Sequence, residues 1–291
     1  MKYLGINSIE DSFFAISSVL KFKEGFELVE LQANLLISAA TGISMNAIDR
    51  NKSKILTLDE KHFIVDYIQS GAEIPVPLYL GFTEILGHRI YVNKNVLLPG
   101  TETLGLIGVI VKLIKDIKMP KLIEVGAGSG VVSILTALSN KSATVFATEI
   151  STSAVEVADC NIRHHKISNR VKLFIGNWFE PLNHLKGKLF DLVVSNPPYV
   201  KSEEIIELPK YFRKYAPSQA INGGSDGLDG HKIVISKAFR FLKSGGFLVL
   251  QTDINQAEDV REIIAQTNMY ESPKLINGSS GVPQIIVAKK V

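Results

Sequence analysis

The sequence predicts an α/β protein, a doubly wound parallel sheet with a small N-terminal helical domain and a β-hairpin linker. Three observations predict it. Before Gly81 the apolar residues recur at helical spacing, and beyond Lys118 short β-prone runs alternate with helical segments. A glycine-rich turn joins the first of those runs to a helix. The expected boundaries are 1–81 for the helical domain, 82–100 for the linker and 101–291 for the sheet domain.

In the helical domain Phe26, Leu28, Leu31, Leu35 and Leu36 form one apolar stripe. Phe63, Ile64, Tyr67 and Ile68 form another, with Asp59 as its cap, and Gly71, Pro75 and Pro77 end the unit. From Phe82 to Leu98, alternation through Ile90, Val92 and Val96, with His88 and Asn93 in turns, reads as a hairpin. A helix over 101–118 leads into the alternating region. The run Leu122-Ile123-Glu124-Val125 is a strand, and Val131 to Leu138 reads as a helix. A second strand, Ala143 to Thr148, ends at Glu149, with Ser151 placed to cap the next helix. A third strand precedes Trp178, and Leu192-Val193-Val194-Ser195 is the fourth. The break at Gly245-Gly246 introduces a fifth, Phe247 to Leu250. Residues 273–276 and 284–288 close the sheet as an antiparallel hairpin around a 277–281 turn.

With 291 residues, 46% hydrophobic and 21% charged, the chain has material for one large core and one small one. A net charge of +3 is too slight to argue for nucleic-acid binding. The single cysteine, Cys160, excludes an internal disulfide and a thiolate metal cluster, and reads as a small packed helix residue. No signal pattern opens the chain, and the apolar run from Leu104 to Val111 stops at Lys112, too short for a bilayer. A cytoplasmic enzyme without a metal fits this composition. The pair His164-His165 stands beside Arg163 and Lys166 and reads as a solvated helix end, since adjacent helical residues chelate poorly.

The most informative feature is Asn196-Pro197-Pro198-Tyr199, directly after the fourth strand. Two consecutive prolines force the chain out of the ladder and leave carbonyls without matching N–H donors. The Asn196 side-chain oxygen and the Pro197 carbonyl can then accept the two hydrogens of one planar –NH2 group, with Tyr199 as a flat face beside it. The plain alternative is a tight turn. In Gly126-Ala127-Gly128-Ser129-Gly130 the alternate glycines permit positive φ and close approach of a ligand to the backbone. Glu149, roughly twenty residues on, stands where an acid grips a ribose hydroxyl pair. It is also placed as a helix N-terminal charge. Trp178 offers a plane for a nucleobase, or a rim aromatic for the core.

Together these elements resemble an S-adenosylmethionine-dependent methyltransferase of amino groups. More narrowly, they resemble the protein-(glutamine-N5) methyltransferases of the HemK/PrmC family, which modify peptide chain release factors. The resemblance is carried by residues 96–103, the glycine loop, Gly176-Asn177-Trp178-Phe179, residues 190–199 and Gly223-Gly224-Ser225-Asp226-Gly227-Leu228. It implies a Rossmann-like class I methyltransferase sheet, with S-adenosyl-L-homocysteine as product and no metal. It further implies cofactor contacts at Glu124, Gly126, Ala127, Gly128, Ser129, Gly130, Glu149, Ile150, Asn177, Trp178 and Asn196. Catalysis would fall to Asn196, Pro197 and Tyr199, with Pro198 joining them in holding the substrate. The implied partner is a release factor, docked by the helical domain, whose reacting group is the glutamine of a Gly-Gly-Gln loop. Methylation of a small-molecule or peptide amide or amine is the alternative, ahead of an adenine amine in nucleic acid or a non-catalytic scaffold.

The chain departs from the family pattern at several positions. Gly100, Thr101 and Leu104 replace Arg, Pro and Glu of the usual Pro-Arg-Pro-Glu-Thr-Glu, and Ala216 replaces the Glu of a Glu-Pro pair. Gln251-Thr252-Asp253 replaces Glu-x-Gly, and Glu124 stands for the usual Asp. Several of these bear on the rim where substrate is chosen.

Overall fold

The computed structural model describes residues 5–20, 26–185, 187, 189–278 and 281–291, with only the backbone of 26–28 and 283. The Phe26 and Leu28 side chains of the first apolar stripe therefore lie outside the described residues, as does part of the 277–281 turn. The chain forms two compact units, Met1–Asn93 with Leu208–Tyr215, and Lys94–Glu207 with Ala216–Val291.

The first unit contains α1 (Ile9–Leu20), α2 (Phe26–Thr41), α3 (Leu58–Gln69) and α4 (Val76–Leu80). A hairpin of β1 (Phe82–Ile85) and β2 (His88–Tyr91) follows, and the short helix Lys210–Tyr215 belongs to the same unit. Ile9, Ile16, Leu36, Ile64 and Tyr67 form its buried core. The cap of α3 is Thr57 rather than Asp59. The Thr57 hydroxyl accepts from the Glu60 N–H at 3.3 Å, and the Glu60 carboxylate accepts from the Thr57 N–H at 2.7 Å. This reciprocal pair satisfies two donors at once, which Asp59 inside the first turn cannot do. His88 lies in β2, not in the turn. The turn is Leu86-Gly87, both at positive φ (52° and 75°), the mirror-image geometry that matches strand twist.

The second unit opens with α5 (Thr101–Ile114), which stops before the expected Lys118. Then come β3 (Lys121–Val125), α6 (Val131–Ser139), β4 (Thr144–Glu149), α7 (Thr152–His164), β5 (Val171–Ile175) and β6 (Phe190–Ser195). The chain continues through β7 (Leu242–Gln251), β8 (Lys274–Asn277) and β9 (Pro283–Lys289). The sheet order is β5-β4-β3-β6-β7-β9-β8, with β3 to β7 parallel and β9 antiparallel to both neighbours. This is the doubly wound parallel sheet expected from the sequence, closed by an antiparallel hairpin. All six residues of β6 are buried, as a central parallel strand covered on both faces requires. Its one acid, Asp191, accepts from the Lys121 N–H at 2.8 Å and from Lys243 Nζ at 2.6 Å.

Cys160 is exposed, contrary to the packed position expected. The buried stripe of α7 runs through Ala154, Val157, Ala158, Asn161 and Ile162, and turns residue 160 outward. Among the described residues no helix is long and apolar enough to cross a membrane.

Candidate active site

The chain builds outward from β3 to β4 and β5, then returns to place β6 on the other side of β3. Strand order reverses between β3 and β6, and the loops leaving their carboxyl ends open a crevice there. A cavity of about 250 Å³ occupies this point. It is lined by the turn after β3, the ends of β4 and β6, residues 176–178 and the segment 95–103.

The turn after β3 is anchored to β4, because the Gly126 and Ala127 N–H groups both donate to the Thr148 carbonyl at 2.9 Å. Gly126 and Gly128 adopt φ of 82° and 53°, which glycine reaches without steric cost. The Glu149 carboxylate closes the arrangement. One oxygen accepts from the Gly128 N–H and the other from the Ser151 N–H, each at 2.9 Å. Ser151 caps α7 by accepting from the Ala154 N–H at 3.2 Å. Glu149 thus serves the helix entry and lines the cavity together.

Glu124 lies beneath the glycine turn, 3% exposed, and Oε2 accepts from the Ser133 N–H at 2.9 Å and from the Ser133 hydroxyl. Burial pushes its carboxyl up to about 8, Ser133 opposes the rise and the nearby Glu149 adds to it. Across the cavity stand Ile150, Asn177 and Trp178. Trp178 sits at φ 48°, a strained position for a bulky residue, and packs against the main core.

At the end of β6, the Ser195 hydroxyl donates to the Val125 carbonyl at 2.7 Å, fixing β6 against β3 where the Asn-Pro-Pro-Tyr turn begins. Asn196, Pro197 and Pro198 line the cavity. The Asn196 Oδ1 atom is buried without a hydrogen-bond partner among the described residues. An acceptor left unmade at that depth costs roughly 1–3 kcal/mol, which is characteristic of a group reserved for a ligand. Behind the turn, a Cβ on Gly230 would lie 2.8 Å from Pro197 Cβ and 3.0 Å from Trp178 Cη2. Only glycine lets the helix Asp229–Ala238 support both walls.

The described lining contains the carboxylates Glu102, Glu124 and Glu149 and neither lysine, arginine nor histidine. Such a lining offers no cationic side chain to a phosphate and is compatible with a cationic nucleoside. Amides of such a turn hold pyrophosphate in dinucleotide sites, but here Gly128 donates to Glu149, Gly126 and Ala127 to the Thr148 carbonyl, and Gly130 to the Ala127 carbonyl. This donor set fits S-adenosylmethionine. Glu102 folds back onto the start of α5, into the space that a side chain at Gly100 would fill. Burial raises its carboxyl above the ordinary range, against hydrogen bonds from the Glu102 and Gly100 backbone.

Of the predicted residues, the structure brings Glu124, Gly126, Ala127, Gly128, Ser129, Glu149, Ile150, Asn177, Trp178, Asn196, Pro197 and Pro198 to this one cavity. Two stand apart from its lining. Gly130 faces Ala158 and Ile134, each 3.3 Å from where its Cβ would lie. Tyr199 is absent from the lining, and burial first, then the charges of Glu102 and Asp253, pushes its phenol above the ordinary range. The cavity adds Asn95, Glu102, Pro217, Gln219 and Ala220. Glu102 stands in a segment that carries the resemblance and Pro217 beside the departure at Ala216, whereas Asn95, Gln219 and Ala220 have no signal of their own.

Residues 107–225 match the Methyltransferase small domain family. The chain is 31% identical over 264 residues to a release factor glutamine methyltransferase of Gloeobacter violaceus, covering 88% of this chain and 89% of that protein. This chain belongs to the release factor glutamine methyltransferase family. Another member, from Geobacter sulfurreducens, is 32% identical over 252 residues, 86% of each chain. The hMettl16 catalytic domain, solved in complex with a MAT2A 3'UTR hairpin, shares the fold at a TM-score of 0.57 and 13% identity, over 77% of this chain and 92% of that one. As a release factor glutamine methyltransferase family member, the chain is an S-adenosylmethionine-dependent methyltransferase.

Proposed function

We propose that this chain transfers the methyl group of S-adenosylmethionine to the side-chain amide nitrogen of the glutamine in the Gly-Gly-Gln loop of a peptide chain release factor. The observation that carries the reading is the buried, unpartnered Asn196 Oδ1 of a residue that lines the cavity together with Pro197. The cofactor, when bound, supplies a methyl group already activated by its sulfonium. The enzyme's residues then have to hold, orient and polarise. Glu149 would accept from the cofactor's ribose hydroxyls and Trp178 would pack against its base, while Glu124 braces the glycine turn through Ser133.

Asn196 Oδ1 and the Pro197 carbonyl accept the two amide hydrogens of the glutamine. As the nitrogen forms its bond to the methyl carbon and the sulfonium–carbon bond breaks, the nitrogen becomes tetrahedral and gains positive charge. Both hydrogen bonds strengthen, which lowers the barrier. The acidic N–H then loses its proton to solvent, leaving S-adenosylhomocysteine as co-product. Pro198 and Tyr199 complete the turn that presents these acceptors. The helical unit before Asn93 docks the protein substrate, since one glutamine side chain offers too little surface for a specific encounter. A release factor as partner places the enzyme in the cytoplasm.

One observation favours a second reading. At the segment where the family pattern carries Arg, this chain has Gly100, and Glu102 folds into its place. A rim altered in this way suits a small-molecule or peptide amide as acceptor. Labelled S-adenosylmethionine incubated with the enzyme and purified release factors tests the choice. Label on the glutamine of the Gly-Gly-Gln loop is expected. Unlabelled release factors, with label appearing on a small amide, would move the assignment to the second reading.

A further inference from the structure

The segment 223–228 marks the family in the sequence, yet its residues do not line the cavity. What it touches is the back of the Asn-Pro-Pro-Tyr turn. A Cβ on Gly223 would lie 2.7 Å from Tyr199 Cα and 2.8 Å from the Pro198 carbonyl oxygen. The Gly223 N–H donates to the Val200 carbonyl at 2.8 Å, and the Val200 N–H donates to the Ile221 carbonyl at 2.9 Å. The turn and this loop therefore run as one paired ribbon. Gly227, at φ 77°, has its missing side chain replaced by the Gln256 amide and the Tyr199 carbonyl.

Gln256 reaches this point from the start of the helix Ala257–Gln266, just beyond β7. It is 6% exposed. Its Nε2 donates to the Tyr199 carbonyl at 2.9 Å and faces the Asp226 carbonyl at 3.4 Å. Its Oε1 is buried with no partner among the described residues. Rotating the amide by half a turn would set Oε1 against two carbonyl oxygens, so the two acceptors determine which way it points. One side chain thus ties the Tyr199 peptide to the 223–228 loop and to the end of β7.

We propose that Gln256 is a positioning residue for methyl transfer. By holding the Tyr199 carbonyl inward, it sets the rotation of the peptide that ends the turn. It thereby sets the direction in which Pro197 and Asn196 present their oxygens to the accepting nitrogen. The assignment rests on the reading that residues 196–199 hold that nitrogen.

The test uses the full chain, wild type against Gln256→Met and Gln256→Glu. Methionine keeps the volume without the donor. Glutamate puts an anion against two carbonyls, but becomes an O–H donor when protonated, and burial there brings that protonation above the ordinary carboxyl range. With release factor as acceptor, Gln256→Met should lower kcat by about ten- to a hundredfold while cofactor affinity and KM stay within about threefold. The activity of Gln256→Glu relative to wild type should rise as pH falls from about 8 to about 5.5, and that of Gln256→Met should stay flat. A kcat within threefold of wild type for Gln256→Met would overturn the assignment, as would a flat ratio for Gln256→Glu.

Should the wild type label no release factor, hydrogen exchange decides the matter independently of substrate. In Gln256→Met the Val200 and Gly223 amides should exchange faster, while those of residues 126–130 keep their wild-type rates. Unchanged exchange at Val200 and Gly223 would then overturn the positioning role. Faster exchange would uphold it and leave the choice of acceptor as the only error.

Discussion

The Glu149 carboxylate accepts a hydrogen bond from the Gly128 N–H at 2.9 Å, which ties the acid at the end of β4 to the glycine turn after β3. The acid therefore shapes the turn without a ligand and keeps further lone pairs, which our proposal assigns to the ribose hydroxyls. Charge-assisted bonds of this kind contribute roughly 1.5–3 kcal/mol. Glu149→Ala should weaken S-adenosylmethionine binding about ten- to a hundredfold by calorimetry. Unchanged affinity would remove Glu149 from the site.

Asn196→Ala deletes the unpartnered acceptor. The rate of a single turnover should fall by about a hundredfold or more, as when a transition-state hydrogen bond is removed, with cofactor affinity changed only a few-fold. A fall of less than about tenfold would contradict the polarising role.

His231 is fully buried, its Nε2 lies 2.9 Å from the Gln251 carbonyl, and burial lowers its pKa to about 4. The unfolded chain takes up this proton near its ordinary value of about 6.5. Above that pH both states are neutral and the full stability is present. As pH falls from 6.5 through about 4, the unfolded state binds the proton first and stability is lost, by about 3 kcal/mol at the low end. Urea titrations across that window should show a shallower loss in His231→Gln than in wild type. Parallel curves would refute the linkage.

Glu124 runs the other way. Its folded pKa is raised to about 8, so its contribution is complete below the ordinary carboxyl range and is lost as pH rises through about 8. Glu124→Gln keeps an acceptor for the Ser133 N–H and has no charge to bury. Between pH 6 and pH 9 the wild type should lose more stability than this variant. Equal losses would mean that Glu124 ionises without penalty.

On the helical unit, Ile55 and Leu58 are 67% and 68% exposed. Apolar side chains left in water at the start of α3 suit a protein contact. Ile55→Glu and Leu58→Glu, the latter at a helix N-terminus that favours an acid, should leave the fold intact. Each should raise KM for a release factor by about tenfold, with cofactor affinity unchanged. An unaltered KM in both would place docking elsewhere.

The sheet and most of the cavity wall could be read from the chain because their signals are local. Glycines mark the turn after β3, two prolines end β6, and alternating periodicities set the strand count. Thr57 does not stand out as a cap in the sequence because Asp59, two residues later, carries the same chemistry. Glu102 and Gln256 escaped for a different reason. Glu102 matters because Gly100 leaves room for its carboxylate, and Gln256 meets a carbonyl 57 residues away. Neither relation has a period or a spacing, so only the folded chain displays it.

Gly230 supports Pro197 and Trp178 with a single hydrogen in place of a side chain. The wall assigned by our proposal to the acceptor and the wall assigned to the nucleoside consequently share one floor, and neither can be reshaped there alone. A bulkier residue at 230 would shift both together, so loss of one ligand would bring loss of the other. Change of substrate in this scaffold has to come from the rim instead. Gly100 and Ala216 lie in rim segments, and both are positions where this chain has already left its family's pattern.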